Sequence, residues 1–386
     1  MIISRTLSIG LSILMRAGLL LFLSGLVYTL SPPEDTKVFF QIVFLQTVVI
    51  AFLSASGFFR AQSLKDYTEA ADYLAAMMLL ILPSLALPLL LAVLDADYSD
   101  RLLALLAVWG GAVATALATP LSALVMNRHG PFRAFLPACL SAVIVLVALW
   151  AAAERNWFDL LPYLALASFQ ILNFVFLALQ ESALVISAIR RLFGRKLSEL
   201  RRYVLEGFGV GASNVAHLLV VLAVREIWSD SVSSELAAAL FLVLRISDTG
   251  LQLLHMVLSR NPLVDRLIET GGAPLLQAGT FLIAIAIAIG ISLSGIPGGW
   301  SPLVFAAVMH FAVDLARYPW SLSFLYQMHH FGMSRYLAFT LAPPVTALAV
   351  AAPFLIAGAP VALTLFMAVI TWSGSTITAL QARHRA

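Results

Sequence analysis

The sequence predicts an all-α polytopic membrane protein with about twelve transmembrane helices in two pseudo-symmetric six-helix lobes. Three observations predict it. Hydrophobic residues make up 61% of the chain and charged residues 11%, with a mean hydropathy of +0.96, which leaves a water-soluble fold too little polar surface to cover itself. The apolar residues gather in long runs, and crossing a hydrocarbon core about 30 Å thick takes roughly 20 of them in a helix that satisfies its own backbone. Third, the lysines and arginines collect in alternate loops, as the short cytoplasmic loops of a multi-pass protein require. A run such as FLIAIAIAIGISL (281–293) is unbroken, whereas a membrane β-barrel shows short alternating strands.

The runs fall in chain order at 7–30, 37–59, 71–94, 102–126, 134–153 and 160–189, and then at 203–226, 236–258, 273–294, 302–327, 336–357 and 361–381. The first begins with a short basic stretch ending at Arg5. It is too long for a secretory signal, carries Arg16 and lacks a small-residue cleavage site, so it reads as a retained helix. Prolines Pro83 and Pro88 interrupt the third span, Pro319 the tenth, and Pro343 with Pro344 the eleventh. Each removes a backbone hydrogen bond and bends its helix.

With the N-terminus inside, the inner segments hold Arg5; Arg60 and Lys65; Arg128 and Arg133; Arg190, Arg191, Arg195, Lys196, Arg201 and Arg202; Arg260 and Arg266; Arg335; Arg383 and Arg385. The outer segments or their edges hold only Lys37, Arg101, Arg155 and Arg225, and lean acidic in SPPEDT (31–36) and DADYSD (95–100). Both termini are therefore expected in the cytoplasm, with the chain in the cytoplasmic membrane. No loop is long enough for a soluble domain, which counts against membrane glycosyltransferases, polymerases and ligases that work on a long external loop.

The most basic stretch, RRLFGRKLSELRR (190–202), divides the chain into an N-terminal lobe (1–189) and a C-terminal lobe (203–386). Six spans per lobe give the two halves parallel topology. MNRHGPFR (126–133) and MHHFGMSR (328–335) match at Met126 with Met328, Gly130 with Gly332 and Arg133 with Arg335. Both form the inner turn between the fourth and fifth span of their half, which points to duplication, although short inner turns also need Gly and Arg for their own reasons.

Duplicated six-helix halves suit two transporter groups. The loop after the second span, FRAQSLKDYTEA (59–70), lacks the Gly, Asp and Arg signature of the major facilitators. Three stretches instead resemble the multidrug/oligosaccharidyl-lipid/polysaccharide (MOP) exporter superfamily, in particular the Wzx-type polysaccharide flippases: YTLSPPEDTKVFF (28–40), SASGFFRAQS (54–63) and NRHGPFRAFL (127–136). The resemblance implies a MATE-like fold and a flippase moving a lipid-linked oligosaccharide, carried on polyprenyl phosphate or diphosphate, across the membrane by alternating access. It implies as partners the lipid-linked glycan, membrane lipid and the polymerase or assembly proteins of a polysaccharide pathway, and no nucleic acid. The alternatives are an ion-coupled small-molecule or drug exporter of the same superfamily and, from another class, a membrane enzyme or a non-transporting scaffold.

An ionisable side chain at the bilayer centre costs at least about 2.5 to 3.5 kcal/mol, so each such residue needs a role. Arg245 and Asp248 lie three apart on the eighth span, and Asp314 and Arg317 three apart on the tenth, with His310 on the latter face. Such pairs either neutralise each other inside the bundle or line a water-filled cavity. The related flippases carry their cavity between the halves, lined by the first helices of each, which suits Arg16 and the Arg245 and Asp248 pair. Arg16, Arg245 and Arg317 are the expected ligands of the substrate phosphate, through the fixed fork of guanidinium donors; a snorkelling Arg16 is the plain alternative.

Asp248, Asp314, His310, Glu181 and Glu206 are the expected coupling-ion or cavity polar residues, with the choice between protons and sodium open. Glu206 sits one turn into the seventh span, where a carboxylate also complements the helix dipole. Glu181, deep in the sixth span, joins Gln180, Gln170 and Asn173 in a polar stripe that reads first as an inter-helix hydrogen-bond seam. His217 and His255 stand alone on apolar spans, no His and carboxylate set has ligand spacing, and Cys139 is the single cysteine. No metal, disulfide or cofactor is therefore expected, nor ATP hydrolysis, since no Gly-Lys-Ser/Thr P-loop occurs. No acid, base or nucleophile cluster suggests an enzyme.

Overall fold

The computed structural model describes residues 18–54, 67–94, 100–152 and 160–194, together with positions 200, 201, 203–205, 215, 233–235, 237–239, 241, 242, 245, 342, 345, 346, 349, 350, 353 and 357. The chain divides into two compact units, one made of Met1–Ser31 and Val38–Val215, the other of Pro32–Lys37 and Ala216–Ala386. In the second, Ala237, Ala238, Ala239 and Phe241 are buried.

The second to fifth spans read from hydropathy appear within a few residues of their expected places, and the described part of the first ends where expected. Helix α1 (Gly18–Leu30) is short in its described part. It closes with the Ser31 amide bonded to the Val27 carbonyl at 2.9 Å. Helix α2 (Pro33–Ser54) starts on a proline whose missing N–H is no loss in a first turn, with Glu34 and Asp35 against the positive end of the helix dipole. The amide and hydroxyl of Thr36 both donate to the Pro32 carbonyl at 3.0 Å.

Helices α3 (Tyr67–Leu94), α4 (Leu102–His129), α5 (Pro131–Ala152) and α6 (Leu161–Gln180) each contain a stretch long and apolar enough to cross a membrane. Pro83 and Pro88, expected to interrupt the third span, lie inside α3, which runs unbroken from Tyr67 to Leu94. Ser84 turns its hydroxyl to the Ile81 carbonyl at 2.7 Å and accepts from the Trp109 indole of α4 at 3.0 Å, so polar groups next to the proline are satisfied within the bundle. Pro319, Pro343 and Pro344 lie outside the described residues.

The α4–α5 turn at Gly130 has φ 86°, ψ 167°, a conformation a Cβ would oppose. This is the turn whose glycine the sequence singles out, and it lets Pro131 open α5 immediately.

Among the described helices, α4 and α6 form the most extensive interface. The reason is composition. Lipid tails are as apolar as leucine, so helices associate in a bilayer through close packing of small residues. The buried side of α4 supplies Ala104, Ala112, Ala116 and Ala118, and α6 answers with Ala165 and Ala167. Phe39 of α2 meets Tyr163 of α6 with ring centroids 5.3 Å apart. On the outside of α5, Val143, Ile144, Val147 and Trp150 are exposed, as lipid-facing residues should be.

The sixth span departs from expectation. It reads as one apolar run, 160–189, but α6 ends at Gln180, and a separate helix α7 (Ser182–Gly194) follows. Glu181 makes the joint with φ −116° and ψ 39°. Its amide donates to the Leu177 carbonyl at 3.1 Å, while its own carbonyl accepts from Leu184 and Val185 at 3.0 and 3.1 Å. A run of that length exceeds what about 30 Å of hydrocarbon needs, so the chain can turn and still cross.

Candidate functional site

Of the residues expected to handle substrate or ion, Glu181 and Arg245 are described. Arg16, Glu206, Asp248, His310, Asp314 and Arg317 lie outside the described residues. Arg245 is helical and half-buried. It belongs to the second unit and Glu181 to the first.

The polar stripe of α6 resolves into two arrangements. The first is a buried amide pair. Gln170 sits against α4 where Gly111 has no side chain; a Cβ at Gly111 would stand 2.2 Å from Gln170 Oε1 and 3.0 Å from the Ala167 Cα. The space lets the Gln170 side chain cross α4 and accept a short hydrogen bond from Gln46 Nε2 of α2. Gln46 is 2% exposed, and such a bond in a membrane is worth about 0.6 kcal/mol on average and up to about 1.7. Gln170 thus behaves as the seam residue its position suggests. Asn173, one turn on, is 3% exposed and its Oδ1 has no hydrogen-bond partner among the described residues.

The second arrangement centres on Glu181, which is 6% exposed. It does not sit within a continuous helix. The break brings its carboxylate to the end of α4, where Arg128 Nη1 lies 3.5 Å from Oε2 and His129 Nε2 lies 3.3 Å from Oε1. Oε1 accepts no hydrogen bond with good geometry among the described residues, so the attraction is mainly charge on charge, through a half-exposed Arg128 that water screens in part. His129 adds to it only when protonated. The Arg128 guanidinium also lies over the Tyr67 ring, 4.6 Å from its centroid, a cation–π contact that ties the start of α3 to the same cluster.

A companion contact holds α7. Arg191 Nη1 donates to the Thr68 carbonyl at 2.8 Å and makes a short ion pair with Asp72 Oδ1. Asp72 is buried. The Tyr203 ring meets Tyr73 edge-on at 6.3 Å, and its hydroxyl donates to Glu69 at 3.5 Å. Basic turns and acidic starts of helices therefore meet at one end of the first unit.

Sequence reading counted Arg128 and Arg191 only as loop cations and did not single out Tyr67 or Asp72. Spacing along one helix carries no sign of a partner more than a hundred residues away. The available signal was that Asp72 falls in the first turns of a span that follows a basic loop, where an unpaired carboxylate would be costly.

No protein-family model and no curated protein matches the chain. Its structure is similar to that of an outward-facing multidrug resistance MATE family transporter of the MOP superfamily, with 15% identity over 98% of this chain and 94% of that chain and a TM-score of 0.62. It is similar too to a Vibrio cholerae MATE transporter, at 13% identity over 100% of this chain and 96% of that chain with a TM-score of 0.59. A third likeness is to MATE in complex with Br-NRF, at 15% identity, 98% and 94% coverage and a TM-score of 0.53. The fold is that of the MATE transporters, in agreement with the all-α, two-lobe, twelve-span membrane protein that hydropathy and charge predict.

Proposed function

We propose that the chain is an alternating-access transporter whose cargo is a lipid-linked oligosaccharide, flipped on its polyprenyl phosphate or diphosphate carrier from the cytoplasmic to the outer leaflet. The MATE fold over the whole chain supports the transport mechanism. Two lobes, 1–189 and 203–386, would open their shared seam alternately to either side, while the lipid tail stays in the bilayer and the sugar and phosphate pass through the seam.

The observation that carries the cargo is the sign of the charge at membrane depth. Along α2 to α6, every carboxylate lies near a helix start: Glu34, Asp35, Glu69 and Asp72. Glu181 is held by Arg128 and His129 at a helix joint. The ionisable groups left within apolar spans are Arg16, Arg245 and Arg317 with Asp248, Asp314 and Glu206, and Arg16 shares the run 7–30 with no carboxylate. A guanidinium at that depth costs at least about 2.5 kcal/mol. A phosphate offsets this by charge and by paired hydrogen bonds, whereas a cationic drug would add to it. Coupling to protons or sodium, where it operates, falls to Asp248 or Asp314, with Glu206 and His310 as the remaining polar groups.

One finding favours a second reading: the similar structures include a multidrug resistance transporter. A drug exporter needs acidic or aromatic contacts for its cargo and tolerates loss of the arginines.

Alanine at Arg16, Arg245 and Arg317, each in turn, tests the proposal by the amount of lipid-linked intermediate held on the inner leaflet. Each substitution should slow flipping about tenfold or more, the loss of one hydrogen bond to a charged group. Normal export by all three variants contradicts the proposal.

A further inference from the structure

Helix α7 has its two ends tied to the same place. Its start, Glu181, meets Arg128, which in turn covers Tyr67 at the first residue of α3. Its other end, Arg191, reaches Thr68 and Asp72 in the first turns of α3. A straight continuation of α6 would carry Arg191 about 15 Å beyond Glu181 along the helix axis. Instead both ends reach the opening turns of one span, Arg191 directly and Glu181 through Arg128. Helix α7 therefore packs against the first turns of α3 after the break at Glu181, and we read it as lying across the end of that span.

The surface of α7 is unusual for a helix leaving the bilayer. Leu184 and Ala188 are buried beneath it, and on the opposite side Ile186, Ile189 and Phe193 are exposed, Phe193 by 83%. This stripe continues that of α6, where Ile171, Val175 and Leu179 are exposed at the same three- and four-residue spacing. From Leu161 to Gly194 the two helices would span about 50 Å end to end, against about 30 Å of hydrocarbon. Water cannot cover the remainder favourably. Beside the stripe, Arg190 is exposed, and Arg201 is exposed two residues before Tyr203, which contacts Glu69 and Tyr73 of α3. An apolar face flanked by cations on a helix lying across the end of a span is the arrangement of an interfacial helix.

We propose that α7 is an in-plane anchor that lays Ile186, Ile189 and Phe193 into the boundary between headgroups and acyl chains and binds an anionic lipid headgroup through Arg190 and Arg201. The occupant is a membrane phospholipid; its phosphate meets the two guanidiniums while its chains cover the stripe. Each cation near an anionic surface contributes a factor of about five in association, and the exposed arginines act together. This anchor is independent of the cargo.

The test uses the full chain in nanodiscs of equimolar phosphatidylcholine and phosphatidylglycerol. With Cys139→Ala as background, Phe193→Cys is spin-labelled, and its collisions with oxygen and with a water-soluble nickel chelate give its depth. The expected label sits at the headgroup boundary, preferring oxygen; a label as open to nickel as one in free solution overturns the proposal. In the second arm, phosphatidylglycerol retained by the protein is measured by native mass spectrometry. Arg190→Gln and Arg201→Gln should each lower it about five-fold. Arg133→Gln, the same charge change on an exposed residue of α5, should lower it less. Equal losses in all three assign the binding to general charge and overturn the site.

Discussion

Gly111 and Gln170 form a pair in which an absence of side chain matters as much as a presence. Gly111→Ala places a methyl 2.2 Å from Gln170 Oε1, so Gln170 must leave and Gln46 loses its acceptor. Overpacking of this kind costs about 1 to 3 kcal/mol, and the variant should unfold at lower temperature in detergent. Adding Gln170→Ala to Gly111→Ala should restore part of the loss, since the nearest clashing atom is gone and only the Ala167 Cα at 3.0 Å remains close; strictly additive losses would show that the two residues do not interact.

Glu181 and Arg128 permit a second test at this scale. Arg128→Met strips a cation from a buried carboxylate and should destabilise the protein more than Arg128→Met combined with Glu181→Gln, with a coupling of about 0.5 to 3 kcal/mol. A coupling near zero in thermal unfolding would mean that the half-exposed arginine is too well screened to matter. The polar character of Gln170 and Glu181 was legible from the sequence, because such residues stand out in an apolar run. Their partners were not: Gln46 and Arg128 lie 124 and 53 positions away, distances at which periodicity says nothing.

At the level of elements, hydropathy located α2 to α5 and the start of α6 within a few residues, because the approximate length of a spanning helix is dictated by the bilayer and not by neighbours. It missed the division of the sixth span. Glu181 interrupts an apolar run without Gly or Pro, so nothing local announces a turn; the contacts beside the break, Arg128 and His129 with Glu181 and Arg191 with Asp72, join residues far apart in sequence. The bond between Arg191 and Asp72 is therefore expected to govern the order of α7. Asp72→Asn should raise amide hydrogen exchange across 182–194 while leaving α4 protected, since local openings follow the stability of the local unit. Unchanged exchange in α7 would show that its apolar contacts with α3 suffice alone. Pro83 and Pro88, by contrast, were visible at once, and α3 runs through both as one helix instead of stopping at them, as membrane helices can where neighbouring groups satisfy the freed backbone.

For the whole molecule, composition alone dictated a helical membrane protein, and the MATE fold across the full chain accords with it. Cargo is a different matter. A fold can carry many substrates, and the proposed choice rests on a few charges: Arg16, Arg245 and Arg317 against Asp248, Asp314 and Glu206. Among the described residues, the carboxylates of α2 and α3 lie near the helix starts and Glu181 is held at a joint, so α2 to α6 carry no carboxylate in mid-span. That is why the proposed cargo is anionic and no specific sugar is named. The most direct test is reconstitution of the full chain in liposomes holding a fluorescent polyprenyl diphosphate oligosaccharide in both leaflets, with an impermeant quencher or glycosidase reporting movement, and a cationic dye as the competing cargo. The account predicts protein-dependent flipping of the lipid-linked sugar, lost about tenfold or more with Arg16→Ala, and no transport of the dye. Dye transport that survives Arg16→Ala, with no movement of the lipid-linked sugar, would contradict it.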